Sequence, residues 1–190
     1  MELVFATHNQ NKFREIKALL PSNITLMSLS DIGCEEDIPE TGDTIDENAI
    51  LKAEYVRNNY GYDCFADDTG LEIEALAGAP GVYSARYAGE QKDDQANIQK
   101  VLKQLEERDS RRARFKTVIA LNLKGNQNLF TGICEGHILK EKRGINGFGY
   151  DPIFQALNSQ YSFAEMNLTE KARISHRSKA FRELMAYLSK

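Results

Sequence analysis

The order in which hydrophobic patterns succeed one another at the start of this chain constrains its fold more than any other feature. Leu3 to Ala6 (LVFA) is a short apolar run, the signature of a buried strand. Polar THNQNK follows, and then Phe13, Ile16, Leu19 and Leu20 recur at helical spacing until Pro21 stops the pattern. ITLMSL, from Ile24 to Leu29, supplies a second strand. Strand, helix and strand in that order predict a parallel pair with a right-handed crossover, because parallel neighbours cannot be joined by a tight turn.

The same patterns continue downstream. A loop with Pro39, Thr41 and Gly42 leads to Thr44-Ile45-Asp46-Glu47, the spacing of a capping box, ahead of a helix ending near Asn58 to Gly61. YDCFA (Tyr62 to Ala66) reads as a strand ending at two adjacent aspartates, Asp67 and Asp68, and LEIEAL continues as a strand with alternating faces. GAPG is turn chemistry, and Asp93 to Arg108 carries Ile98, Val101, Leu102 and Leu105 on one helical face. Ala113 to Leu123 and Leu129 to Leu139 flank the turn KGNQN as an antiparallel hairpin. GINGFGYDP is a loop, PIFQAL follows it, and a last helix capped near Ser175 turns Phe181, Leu184, Met185 and Leu188 inward. No repeat, low-complexity linker or clear domain boundary interrupts the chain. The sum is an α/β fold, with a parallel core extended by antiparallel strands.

Composition narrows the function classes. With 24 Lys+Arg against 28 Asp+Glu the net charge is -4, which argues against general attraction to nucleic acid or anionic membrane. Met1 leads into a polar segment with no basic stretch and only a four-residue apolar run, unlike a secretory signal. No apolar run approaches the roughly 20 residues of a membrane span. Cys34, Cys64 and Cys134 are odd in number and lack CxxC spacing, so reduced, packed thiols and a cytoplasmic location are expected.

Several stretches carry candidate chemistry. THNQNK lies where a strand hands over to a helix, and free N–H groups there favour an anion such as phosphate, with Thr7, Asn9 and Lys12 adding donors. The plainer alternative is that Asn9 caps the helix and Lys12 is solvated. Asp67 and Asp68 pose an electrostatic question, since like charges ~4 Å apart repel by about 4 kcal/mol at an effective dielectric of ~20. Consecutive side chains on an extended chain diverge, so one can face a ligand; the plainer alternative is that Asp67 caps a turn and Asp68 hydrogen-bonds nearby backbone. Magnesium binds through one or two carboxylates plus substrate phosphates, and Glu40 offers a second carboxylate. Arg86 could clamp an oxyanion or make a surface ion pair. Phe148, flanked by Gly147 and Gly149 and followed by Tyr150 and Asp151, suits stacking on a flat ring or plugging of the core. His176 and Arg177 could donate to a base edge or phosphate, or merely stand at a helix start. RRARFK (Arg111 to Lys116) is assigned to a solvated strand entrance.

Taken together, TxNxxK (Thr7, Asn9, Lys12), ETG (Glu40 to Gly42), ENAxxKA, ADDTGL, GxPGVYSARYAG, GFGYDPIF and EKxxISHRSKAF resemble, in order and spacing, the inosine/xanthosine triphosphate pyrophosphatase family. The resemblance runs from Met1 into the last helix. It implies an elongated, two-lobed mixed β-sheet flanked by helices with a central active-site cleft, a single domain over residues 1–190, and a homodimer. It also implies magnesium-dependent hydrolysis of ITP, dITP and XTP to monophosphate and pyrophosphate. Carried over, Thr7, His8, Asn9, Gln10, Asn11 and Lys12 resemble the triphosphate loop. Glu40 and Asp68 resemble metal ligands, with Asp68 also the proton acceptor and Lys12 its catalytic companion. Thr69 stands where many relatives have serine, and His8 where many have glycine. Phe148, Gly149, Tyr150, Asp151, Lys171, His176 and Arg177 resemble the base pocket and its rim, and Thr69 and Arg86 complete the substrate-binding set. Two other classes remain open on sequence: a nucleotide-binding regulatory module without hydrolysis, and a nucleic-acid-binding protein using RRARFK and Phe148. A phosphohydrolase of modified pyrimidine triphosphates is the nearest enzymatic rival.

Overall fold

Seven strands build one mixed sheet in a computed structural model that describes residues 1–189. In chain order the elements are β1 (Glu2–Phe5), α1 (Gln10–Lys17), β2 (Thr25–Met27), α2 (Ile45–Tyr60), β3 (Cys64–Ile73), β4 (Pro80–Gly81), α3 (Asp94–Gln104), β5 (Arg112–Leu123), β6 (Asn126–Ile138), β7 (Phe154–Ala156), α4 (Leu168–Ile174) and α5 (His176–Leu188). The strand order is β2-β1-β3-β5-β6-β7, with β4 against β3. β1 pairs in parallel with β2, as the opening pattern predicts, and also in parallel with β3. Contacts group the chain into two compact units. The first holds Met1–Asp68, Thr117–Gly132 and the segment from Arg177 onward; the second holds Thr69–Lys116 and Ile133–His176.

In the first unit the two-residue period of a strand dictates the layering. Leu3 and Phe5 of β1, Phe65 of β3 and Ile119 and Leu121 of β5 share one buried cluster with Ile16 of α1 and Phe181 and Leu184 of α5. Val4, Cys64, Ala66, Val118 and Ala120, the alternate residues of the same strands, and Ala6 just past β1 join Ala49, Ala53 and Val56 of α2 in another. The sheet is therefore covered on both faces, which is why LVFA is continuously apolar. Phe5 and Phe65 stack with centroids 4.7 Å apart, and each such fully buried ring contributes on the order of 2–3 kcal/mol.

In the second unit Ile98, Val101 and Leu105 of α3 pack with Leu71, Ile73, Phe115, Phe154 and Phe163. Phe115 meets Phe154 edge-on at 4.6 Å. β7 runs antiparallel to β6, with Gly136 opposite Ala156. A Cβ on Gly136 would stand 2.3 Å from the Gln155 carbonyl oxygen, so only glycine permits that approach.

Four expectations need correction. Asp67 and Asp68 lie inside one ten-residue strand, not at the end of one; that strand stops at Ile73, and Glu74–Leu76 forms a 3-10 turn. The hairpin turn is Lys124-Gly125 alone, with φ of 49° and 82°, the doubly left-handed geometry that matches strand twist, so NQN belongs to β6. α4 precedes the last helix and is the unforeseen element, started by a capping box in which Asn167 and Glu170 bond each other's backbone; Ser175 ends α4 and stands immediately before α5, where the last helix is expected to begin. RRARFK is only partly solvated, because Arg111 donates from Nε, Nη1 and Nη2 to the carbonyls of Ile138, Leu105 and Leu139 at 2.7, 2.9 and 2.7 Å.

All three cysteines are buried and free. No helix among the described residues is long and apolar enough to cross a membrane.

Candidate active site

The register of β1 explains where the two aspartates point. β1 ends at Phe5, opposite Phe65, and Ala6 N donates to the Phe65 carbonyl at 2.8 Å. Beyond that point β3 continues past the end of β1. Phe65 belongs to the cluster with α1 and α5, and Ala66 to the cluster with α2. Continuing the alternation, Asp67 falls on the side of α1 and α5, and Asp68 on the side of α2.

Each aspartate meets its own cations there. Asp67 Oδ1 is 3.0 Å from Lys12 Nζ of α1, and its Oδ2 accepts from Arg177 Nε of α5 at 2.9 Å. Arg177 also donates from Nη1 to Glu15. Asp68 Oδ1 accepts from Lys52 Nζ of α2 at 2.7 Å, and the same nitrogen donates to Glu40 Oε1 at 2.7 Å. Two adjacent carboxylates are tolerated because pleat geometry separates them and each is paired.

Burial sets the electrostatics. It pushes the Asp67 carboxyl up, but the charges of Lys12, Arg177 and Lys52 outweigh it, and the group sits well below the ordinary carboxylate range. For Asp68 burial dominates over Lys52 and Lys12, and its carboxyl sits above that range. Burial lowers Lys12, with Asp67 opposing and Lys52 and Arg177 reinforcing. Lys52 is also desolvated, yet Asp68, Glu40 and Asp67 reverse the effect and hold it firmly charged. Both groups are thus raised, which favours charged Lys52 but opposes charge on Asp68, and the 2.7 Å contact with a firmly charged ammonium keeps the pair ionic.

The surrounding loops are fixed locally. Asn9 caps α1, its side chain accepting from Asn11 N and Lys12 N at 2.9 and 3.1 Å, and Thr7 Oγ1 accepts from Asn9 N. Asn9 therefore does what a cap does, whereas Lys12 is drawn onto Asp67 rather than solvated. His8 Nε2 lies 2.9 Å from the Glu36 carbonyl oxygen, tying the loop to the segment before Glu40. Glu40 is placed by the turn after it: Gly42 N donates to Asn48 Oδ1 at 2.8 Å. A Cβ on Gly42 would be 2.6 Å from that of Glu47.

The donor set can be tested against magnesium. Glu40 and Asp68 each place an oxygen 2.7 Å from one point. Magnesium takes hard oxygens at about 2.0–2.1 Å and commonly uses one or two carboxylates, with phosphates and water completing the shell. The pair fits such an ion after a small contraction, once Lys52 has moved aside. Among the described residues no group of three or more His, Cys, Asp or Glu side chains gathers as a metal site.

The second unit holds the other expected residues. Phe148 is half-buried, with Lys171 Nζ 5.0 Å from its ring centroid. Lys171 Nζ pairs with Asp151 Oδ2 at 2.6 Å, and the same oxygen accepts from Phe148 N at 2.9 Å. Gly149 N donates to Asp94 at 2.7 Å. Tyr150 is 4% exposed and donates to the Ser84 carbonyl at 2.8 Å. The two aromatics of GFGYDP thus divide: Tyr150 plugs the core and Phe148 keeps an accessible face. His176 is buried with its ring stacked on Phe115 at 4.5 Å. Arg86 lies over the Tyr83 ring at 5.4 Å, and Thr69 is a half-buried residue of β3. In the first unit, Gln10 and Asn11 form the start of α1.

Sequence reasoning assigns no role to Lys52, Glu15 or Asn48, although Asn48 and Lys52 stand in ENAxxKA. A signal for Lys52 exists: Ile45, Asn48, Ala49, Lys52, Ala53 and Val56 are the buried stripe of α2, and a lysine on an apolar stripe requires a buried anion.

Comparison with known proteins extends this geometry. The Ham1 family pattern matches residues 3–187. A dITP/XTP pyrophosphatase of Christiangramia forsetii is 75% identical over 190 residues, covering 100% of both chains. One of Flavobacterium psychrophilum is 60% identical over 187 residues, covering 98% of each. The solved structure of a HAM1 protein from Coxiella burnetii superposes with a TM-score of 0.91 at 42% identity, over 100% of this chain and 98% of that one.

Proposed function

The chain belongs to the Ham1 family, and on that footing we propose that it hydrolyses deaminated purine nucleoside triphosphates, ITP, dITP and XTP, to the monophosphate and pyrophosphate. The observation that carries the proposal is the convergence of Glu40 and Asp68 on one cation position, beside the Lys12–Asp67–Arg177 cluster.

Asp68 and Glu40 would hold magnesium, which when bound screens the phosphate oxygens and orients them. Asp68 accepts the proton of the attacking water as its oxygen bonds to the α-phosphorus, and the bond to the bridging oxygen breaks with pyrophosphate leaving. Lys12 and the residues from Thr7 to Asn11 bind the triphosphate and neutralise charge on the leaving oxygens, where preorganised donors gain most. Asp67, locked between Lys12 and Arg177, positions Lys12.

Phe148 to Asp151, with Lys171, His176, Arg177, Thr69 and Arg86, complete the proposed substrate set. Hypoxanthine and xanthine present a 6-keto acceptor where adenine presents an amino donor. Donors in the base site therefore face a donor with ATP, a mismatch able to discriminate by ~10⁴. A cytoplasmic location and assembly as a homodimer belong to the same proposal.

The test is pyrophosphate release from a panel of ITP, dITP, XTP, ATP and GTP with magnesium. Wild type should favour the deaminated purines, and Asp68→Asn should fold yet lose nearly all turnover. Binding without release would make the protein a nucleotide-holding module instead, and equal specificity constants for ITP and ATP would defeat the selectivity argument.

A further inference from the structure

Lys52 occupies the position that a divalent ion would need. Its Nζ is 2.7 Å from both Glu40 Oε1 and Asp68 Oδ1, and its side chain is 8% exposed. Its direct contacts are with Glu40 and Asp68, whereas the oxygens of Asp67 contact Lys12 and Arg177. The Glu40–Asp68 pair thus carries a cation of its own, covalently attached to α2. Two further facts bear on what happens when metal arrives. Among the described residues no third His, Cys, Asp or Glu side chain joins this pair to make a group of three that could hold a metal ion. A metal ion and an ammonium cannot share one point, because their like charges repel.

We propose that Lys52 is a resident counter-ion that makes metal binding conditional on nucleotide. In the nucleotide-free protein it closes the Glu40–Asp68 pair against divalent ions. When a triphosphate enters, its oxygens supply the ligands the protein lacks and offer the displaced ammonium a new anionic partner. The four-carbon stem of lysine allows that swing without moving α2. Metal and nucleotide then bind with positive coupling, each raising the affinity of the other by the same factor. The benefit is chemical: a carboxylate pair already holding an ammonium does not collect free metal, and the hydrolytic arrangement assembles only around substrate. This inference rests on the metal assignment proposed above, though not on the identity of the base.

The experiment measures Mn2+ binding by the loss of its free EPR signal, in wild type, Lys52→Met and Lys52→Gln, each checked for folding by circular dichroism. Binding is measured with and without the non-hydrolysable α,β-imido analogue of ITP. Wild type alone should bind Mn2+ at least tenfold more weakly than with the analogue. Either Lys52 variant alone should bind at least tenfold more tightly than wild type alone, so that the coupling shrinks. Lysine side-chain NMR on wild type supplies a reading that needs no variant: the Lys52 ammonium signal should survive Mg2+ alone and change on adding Mg2+ with the analogue. The proposal is overturned if nucleotide-free variants bind Mn2+ no more tightly than wild type, or if Mg2+ alone displaces the ammonium signal. Absence of pyrophosphate release from ITP by wild type would instead sink the assigned activity, leaving the Mn2+ comparison to decide Lys52 independently.

Discussion

Arg177 Nε donates to Asp67 Oδ2 across 2.9 Å, with the two side chains 2% and 0% exposed. The contact joins the first turn of α5 to the middle of β3, residues far apart in the chain. Arg177 also reaches Glu15, so the guanidinium is the shared partner of two carboxylates.

Removing that partner should be costly. Arg177→Met leaves Asp67 and Glu15 without their common cation, and stripping one partner from a buried ion pair costs about 3–5 kcal/mol. Urea unfolding monitored by circular dichroism checks this. A loss below about 1 kcal/mol would show that the cluster is not a structural keystone.

The loop at Phe148 gives a paired test. Gly147 has φ of 75°, and a Cβ there would sit 2.0 Å from Asp151 Oδ2, whereas Gly149 has φ of 58° with nothing within 4 Å. Gly149→Ala should cost only the left-handed backbone penalty of about 1–2 kcal/mol. Gly147→Ala should cost more and raise KM, because it also displaces the carboxylate that holds Phe148 N and Lys171. Equal unfolding midpoints for the two variants would contradict the steric argument.

If Phe148 stacks on the purine, Phe148→Ala should weaken binding by about 1–3 kcal/mol, the range for base–aromatic stacking. The effect belongs in KM for ITP with kcat little changed. Steady-state kinetics decide it, and an unaltered KM removes Phe148 from the base site.

Glu36 links acid stability to two phenols. Tyr60 and Tyr55 donate to its carboxylate at 2.7 Å each, and these hydrogen bonds, Tyr60 first, lower its pKa from 4.5 to about 2. A carboxyl depressed in the folded state stabilises fully above its unfolded value, and that gain fades as pH falls from 4.5 toward 2. The Tm advantage of wild type over Glu36→Gln should accordingly be present at pH 6, reduced at pH 4 and smaller still at pH 3. A difference independent of pH would refute the linkage.

Much of this molecule was legible in its local patterns. LVFA followed by a helix and ITLMSL fixed the parallel β1–β2 pair, and Thr44 with Glu47 marked the start of α2, because hydrophobic period and capping are properties of neighbouring residues. The turn at Lys124-Gly125 is shorter than KGNQN suggests and α4 is not foreseen, because their signals are short: a lysine with positive φ, and seven residues behind the box of Asn167 with Glu170. The motifs at Thr7, Glu40 and Asp68 pointed to phosphate and metal chemistry from sequence alone. The partners of the charges did not follow from it. That Lys12 and Arg177 take Asp67 while Lys52 bridges Asp68 and Glu40 depends on which helix covers which face of the sheet. Sequence dictates that adjacent residues of a strand diverge; only packing decides what each one meets, because burial removes water and leaves the charges nothing but one another.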